Sequence, residues 1–251
     1  MIVGLRRASR LLRLLLHILC AIPLGAVAHL LPQPERVSQL WFRGLLNVLR
    51  LRVDVQGTLG DQPLLLAGNH ISWLDIAVLA ASRPLVFVSK AEVGRWPLIG
   101  WLARAGDTLF IERGANGTAQ LNEQLTAILG DGRTAVIFPE GTTTRGYSVR
   151  RFAPRLFASA IATQAPVQPF MLRYREASAP YVDDDTMLGN IWRLLAEPEI
   201  QVQLRFGPVL AAGERRDAIA RQAQTWVETQ LHTPAGWTGQ AERINQALPQ
   251  T

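Results

Sequence analysis

A chain of 251 residues, 48% hydrophobic and 18% charged, is long enough for one large domain with an appendage and apolar enough to fold it, which excludes a disordered chain. Its single cysteine, Cys20, excludes an intrachain disulfide and a cysteine-built zinc cluster, and the sequence has no fixed-period repeat. The formal charge is +6 and Lys90 is the only lysine among 26 basic residues, a balance that suits nucleic acid, an anionic membrane or a phosphorylated substrate, or else a plain solvated basic surface.

Residues 1–50 differ from the rest. Arg6, Arg7, Arg10 and Arg13 precede an apolar run from Leu14 to Leu31, interrupted by His17, Pro23 and His29. As a helix, that run would reach roughly 27 Å at 1.5 Å per residue, marginal against a hydrocarbon core about 30 Å thick. A second helix is predicted over Glu35–Arg50, with Val37, Leu40, Trp41, Leu45, Val48 and Leu49 on one side and Arg36, Arg43 and Arg50 on the other. Pro32 and Pro34 mark the break between them. A basic amphipathic hairpin of this kind suits a membrane surface, with arginines at the headgroups and the amino terminus on the cytoplasmic side. Two other readings compete. One is a secretory signal ending near Ala26-Val27-Ala28, disfavoured because the apolar segment continues through Leu30 and Leu31. The other is a pair of ordinary core helices.

From residue 51 onward, short apolar runs read as buried strands: Pro63–Ala67, Leu85–Ser89, Thr108–Glu112, Thr134–Phe138, Val167–Arg173 and Ile200–Phe206. Helical segments lie among them at Trp73–Ala81, Trp96–Ala105, Ala115–Leu129, Pro154–Thr163 and Arg215–Leu231. Strands alternating with helices predict an α/β domain over 51–251, with a mostly parallel central sheet flanked by helices. In such sheets the chemistry sits in loops at the strand carboxyl ends.

Three polar clusters follow strand-like runs. In Asn69-His70-Ile71-Ser72-Trp73-Leu74-Asp75, a histidine at a strand end stands five residues before an aspartate. A carboxylate on one imidazole nitrogen fixes the tautomer and leaves the other nitrogen to take a proton. The spacing works if His70 lies on the turn before the helix. The competing reading is a capped turn, with Asn69 or Ser72 as the cap. In Gly106–Gly114, Arg113 stands just past a strand, placed to grip a phosphate bidentately or simply to be an exposed arginine. In Phe138-Pro139-Glu140-Gly141-Thr142-Thr143-Thr144-Arg145-Gly146, Gly141 permits a tight turn and the backbone amides offer an anion nest, or the segment is a plain polar turn. It is not a Walker loop. Asp183-Asp184-Asp185 reads as a solvated acidic loop, and no metal is expected.

Taken together, NHISWLD, FIERG, FPEGTTTRG and APVQPFML, in that order, resemble the four blocks of the glycerolipid acyltransferase family that includes the 1-acyl-glycerol-3-phosphate acyltransferases. Val88–Glu92 and Trp96–Gly100 resemble the segment between the first two blocks, so the likeness spans about residues 50 to 210. One departure stands out: Thr143 occupies the place after Glu140-Gly141-Thr142 where the family commonly has arginine, and Arg145 follows two residues later. Acyltransferases for lyso-ornithine lipids resemble this variant too.

The resemblance implies acyl transfer from acyl-CoA or acyl carrier protein to a lysolipid hydroxyl, at the cytoplasmic face of the inner or plasma membrane. His70 would be the general base and Asp75 its orienting carboxylate. Arg113, Glu140, Gly141 and Thr142, with Lys90 and Arg145 as weaker candidates, would hold the acceptor head group; the alternative for the amides near Gly141 is to serve an oxyanion. The acceptor is itself the nucleophile, so no covalent acyl-enzyme and no cofactor are needed. The first acceptor implied is 1-acyl-glycerol-3-phosphate, giving phosphatidic acid; the second is lyso-ornithine lipid. A Ser-His-Asp lipid hydrolase would need a G-x-S-x-G elbow, which is absent. A nucleic-acid module would need an arginine face with stacking aromatics, whereas aromatics are 7% and the arginines are scattered. A non-catalytic membrane protein of the same fold is the remaining rival.

Overall fold

The structure is a computed structural model and describes residues 2–28, 34–61, 63–95, 108–111 and 115–237. In chain order the elements are α1 (Ile2–Ala28), α2 (Pro34–Leu49), β1 (Leu51–Gln56), β2 (Leu65–Gly68), α3 (Leu74–Ser82), β3 (Val86–Lys90), α4 (Ala91–Gly94), β4 (Leu109–Ile111), α5 (Ala115–Gly130), β5 (Ala135–Ile137), a 3-10 turn (Pro154–Phe157), α6 (Ala158–Thr163), β6 (Val167–Tyr174), α7 (Met187–Leu194), β7 (Ile200–Phe206) and α8 (Arg216–His232). The strands form one seven-stranded sheet in the order β1-β7-β6-β2-β5-β3-β4. Neighbouring strands run parallel except β6 and β7. This is the mostly parallel α/β sheet expected from the sequence.

The central strands read as unbroken apolar runs because helices cover both of their faces. Leu64 and Leu66 face one layer and Leu65 and Ala67 the other, all with no exposed surface. The first layer contains Leu45, Leu46 and Leu49 of α2, Leu74, Ala77 and Val78 of α3, and Leu194 of α7. The second contains Leu121 and Leu125 of α5, Ala160 of α6, and Ala223 and Val227 of α8. The helix predicted at 96–105 lies outside the described residues, and Pro154–Thr163 divides into a 3-10 turn and a short helix.

Three elements escaped the sequence reading, the four-residue α4 (Ala91–Gly94) among them. β1 alternates Leu51, Val53 and Val55 with Arg52, Asp54 and Gln56, the pattern of a half-buried strand rather than a buried run. α7 is only eight residues long and starts at Thr186, whose hydroxyl accepts from Gly189 N at 3.1 Å.

The amino-terminal helices dock on this body. α2 places Leu45, Leu46 and Leu49 in the core, and its Arg43 and Gln39 donate to Ala81 O (2.9 Å) and Ser82 O (2.7 Å) at the end of α3. Those carbonyls have no partner within the helix and need donors. α1 lies against α2 through His17 and Trp41, whose rings stack 4.9 Å apart. Trp41 Nε1 donates to His17 O at 3.2 Å and His17 Nε2 donates to Trp41 O at 3.0 Å. The sequence reading sends the arginines of this region to lipid headgroups, but several are used inside the protein. Arg6 donates to Ala196 O at 2.8 Å. Arg10 is buried and donates to Glu197 O and Pro198 O. Arg7 lies over the Trp192 ring at 4.9 Å. On the outer side of α1, Leu5, Leu12, Leu15, Leu16, Leu19 and Ile22 remain about half exposed or more, and Val3–Gly25 is long and apolar enough to cross a membrane by length and composition.

Gly68, at the end of β2, is fixed by close approach. A Cβ there would sit 2.5 Å from Phe170 O and 2.4 Å from Phe170 Cε2 on β6. Gly68→Ala is therefore expected to cost about 1–3 kcal/mol by overpacking, read as a lower midpoint in thermal or denaturant unfolding. An unchanged midpoint would show that β2 and β6 can part more easily than this packing implies.

Candidate active site

The site is built where β2, β5 and β6 end. Beyond Gly68, Asn69 continues the sheet with its side chain. Asn69 Nδ2 donates to Leu172 O at 2.9 Å, and Leu172 N donates to Asn69 Oδ1 at 2.8 Å. The amide thus acts as one more rung between β2 and β6, fully buried, and fixes the point from which the chain turns toward α3.

His70 lies on that turn. Its Nδ1 is 2.8 Å from Asp75 Oδ2, with the imidazole side chain 19% exposed and the carboxylate fully buried. A carboxylate only accepts, so Nδ1 carries the proton and Nε2 presents a lone pair; among the described residues, Nε2 makes no hydrogen bond. Neither Asn69 nor Ser72 caps the helix. Asp75, in the first turn of α3, reaches back instead, and Oδ2 accepts from Ile71 N at 2.7 Å and Ser72 N at 3.0 Å. The capped turn and the His–Asp pair are therefore one arrangement, not alternatives. The other oxygen, Oδ1, accepts from Tyr174 Oη at 2.8 Å. Burial and the neighbouring Asp75 push the Tyr174 phenol well above its ordinary range, which keeps it a proton donor. The imidazole ring stacks on Phe138 with centroids 4.0 Å apart and planes 18° apart, and Phe170 packs edge-on against Phe138.

The loop after β5 holds the His70 backbone from both sides. Glu140 Oε1 accepts from His70 N at 2.8 Å, and its Oε2 accepts from Arg150 N at 2.8 Å. Thr144 N donates to His70 O at 2.8 Å. Burial raises the Glu140 carboxyl above its ordinary range, opposed by these two amide bonds.

The residues expected to hold a head group are placed as follows. The sequence puts Glu140 among the head-group contacts; in the structure both of its oxygens are engaged by backbone amides, one of them that of His70. Gly141 adopts φ 72°, the left-handed turn that glycine permits, and its N–H donates to Phe138 O at 3.1 Å instead of pointing to an oxyanion. Thr142 follows it, half-buried, on the same loop. Arg145 is exposed and pairs with Asp183 at 3.0 Å. Arg113 lies outside the described residues, as does the side chain of Lys90, whose backbone closes β3 opposite Ile111. Among the described residues no cluster of His, Cys, Asp or Glu could hold a metal. Ser72 Oγ is buried without a hydrogen-bond partner among the described residues, so it forms no nucleophile–base pair with His70. The sequence reading missed Tyr174, Phe138 and Thr144. Phe138 and Thr144 belong to a block already singled out; Tyr174 lies 99 positions from Asp75 and carried no local signal.

Comparison with known proteins bears on this site directly. A family model described as Acyltransferase matches residues 44–173. A lyso-ornithine lipid O-acyltransferase of Pseudomonas aeruginosa is 42% identical over 217 residues, 84% of each chain. A 1-acyl-sn-glycerol-3-phosphate acyltransferase of Neisseria meningitidis serogroup B is 30% identical over 186 residues, 71% of this chain and 73% of that one. Among solved structures, the 1-acyl-sn-glycerophosphate (LPA) acyltransferase PlsC of Thermotoga maritima superposes with a TM-score of 0.69 at 18% identity, covering 93% of this chain and 99% of that one, which establishes a shared fold.

Proposed function

The chain belongs to the acyltransferase family, and from that premise we propose that it acylates the free hydroxyl of a lyso-ornithine lipid, with His70 as general base. It is an O-acyltransferase of the lysolipid type. The observation that carries the chemistry is the His70 Nδ1–Asp75 Oδ2 contact of 2.8 Å beside an Nε2 with no hydrogen bond among the described residues. Nε2 takes the proton of the acceptor hydroxyl as its oxygen attacks the thioester carbonyl. The carbonyl re-forms as the sulfur leaves, and the sulfur recovers the proton from Nε2. Products are an ester and a free thiol. Asp75 stabilises the transient imidazolium. Acyl-CoA or acyl carrier protein supplies the acyl group, and no cofactor takes part.

Two observations favour the ornithine acceptor over the glycerophosphate that the sequence resemblance implies first. Thr143 stands where a phosphate-gripping arginine is common. Relatives named for lyso-ornithine lipid include those of Pseudomonas aeruginosa and Rhizobium meliloti, the latter 35% identical over 197 residues. The exposed leucines of α1 suit the acyl region of a leaflet. Acyl-CoA and acyl carrier protein are cytosolic donors, which sets the proposed reaction at the cytoplasmic leaflet.

The test is acyl transfer by purified full-length protein, offered lyso-ornithine lipid and 1-acyl-glycerol-3-phosphate side by side with acyl-CoA and with acyl carrier protein. A kcat/KM at least about tenfold higher for the ornithine acceptor is expected, the equivalent of about 1.4 kcal/mol. The opposite ranking would turn the proposal to phosphatidic acid formation, and no transfer to either lipid would remove it.

A further inference from the structure

We infer that the exposed Arg145–Asp183 pair is an exchangeable clasp that reads the two charges of a zwitterionic amino-acid head group, Arg145 meeting its carboxylate and Asp183 its ammonium. The inference rests on the acceptor reading above and names the residues that would enforce it.

The placement is fixed by the backbone. Thr144, next to Arg145, donates to His70 O. Gly146, on the other side of Arg145, packs so close to Ile71 that a Cβ on it would meet Ile71 Cδ1 at 2.6 Å. Tyr181, two residues before Asp183, donates to Ile71 O at 2.9 Å. The two charged residues are thus carried by loops that both bind the backbone of the His70–Ile71 dipeptide, and the pair spans those loops. Asp183 is held at φ 59°, a left-handed conformation uncommon outside glycine though tolerated by aspartate. Asp185 is engaged elsewhere, with Arg193 at 2.7 Å, so the clasp uses one acid of the three.

The pair is poorly suited to holding the loops together. Its side chains are 63% and 72% exposed, and solvent-exposed ion pairs contribute little to stability. It is well suited to exchange. A head group with both a carboxylate and an ammonium replaces each half of the pair with a matching charge, and neither Arg145 nor Asp183 is left unpartnered. A phosphate monoester satisfies Arg145 but sets its negative charge against Asp183. Rejection by a like charge is a common source of specificity.

The experiment compares wild type, Asp183→Asn, Arg145→Gln and the charge-exchanged double variant Arg145→Asp/Asp183→Arg. KM and kcat are measured for lyso-ornithine lipid and for 1-acyl-glycerol-3-phosphate in mixed micelles of fixed composition. Asp183→Asn is expected to raise KM for the ornithine acceptor about tenfold, in line with losing one charge-assisted contact, with kcat within about twofold and no rise in KM for the glycerophosphate. Arg145→Gln is expected to raise KM for both. The double variant re-forms an ion pair of reversed polarity and is expected not to restore KM for the ornithine acceptor. Restoration would overturn the clasp in favour of a loop staple, as would equal changes for both acceptors in Asp183→Asn. Wild type inert towards lyso-ornithine lipid would overturn the acceptor reading and the clasp with it. Wild type active on that lipid, with KM unmoved in Asp183→Asn, would overturn the clasp alone.

Discussion

Replacing His70 with alanine is expected to lower kcat about 10²–10⁴-fold, the range of general-base assistance, while the protein stays folded. The fold should survive because the ties at this position are made largely by the backbone. Glu140 still accepts from the residue-70 amide, and Thr144 still donates to its carbonyl. The losses are a ring stack on Phe138, about 0.5–1.5 kcal/mol, and one of the four donors around Asp75. The check is steady-state acyl transfer beside an unfolding curve. A His70→Ala enzyme within a few-fold of wild type would remove the imidazole from the mechanism.

Asp75→Asn separates the charge of the carboxylate from its hydrogen bonds. An asparagine oxygen in the Oδ2 position keeps its bonds from Ile71 N, Ser72 N and His70 Nδ1. The amide nitrogen then faces Tyr174, whose hydroxyl can turn to accept. The backbone turn survives, but the imidazolium formed during proton transfer loses the facing negative charge. A fall in kcat of about 10²–10⁴-fold is expected, comparable with loss of the base itself, with KM little altered. Asp75→Ala, by contrast, leaves two buried amides and a phenol without an acceptor, at about 1–3 kcal/mol for each unsatisfied group. Its loss of activity should therefore come with a much lower unfolding midpoint. If Asp75→Asn were as unstable as Asp75→Ala, the carboxylate would be chiefly a structural cap.

The sequence made the central sheet legible because β2, β5 and β6 are buried on both faces and appear as plain apolar runs, as at Leu64–Ala67. β1 showed the other strand signature, strict alternation from Leu51 to Gln56, which marks a half-buried strand, and the sheet order puts it at the edge. The His70–Asp75 pair was readable because both residues lie on one strand-to-helix turn. Tyr174 was not, since its approach to Asp75 depends on β6 lying beside β2 in parallel register. Glu140 was located by its motif, but its local contacts were not legible: a carboxylate in a polar loop suggests a ligand contact, and only the folded structure shows both oxygens turned to amides. The arginines of α1 were misread for a related reason. Spacing shows which side of a helix is cationic, not whether that side meets lipid or the bare carbonyls at Ala196–Pro198.

Those carbonyls limit how α1 can move. Arg6 and Arg10 fasten the helix to the segment just after α7, and α7 reaches the turn at the site through Asn190, whose Oδ1 accepts from Trp73 Nε1 at 2.9 Å. A helix fastened in this way is a brace and not a tether. It sets the pitch of the whole body, so the His70 turn keeps one fixed angle to whatever plane the leucines of α1 rest upon.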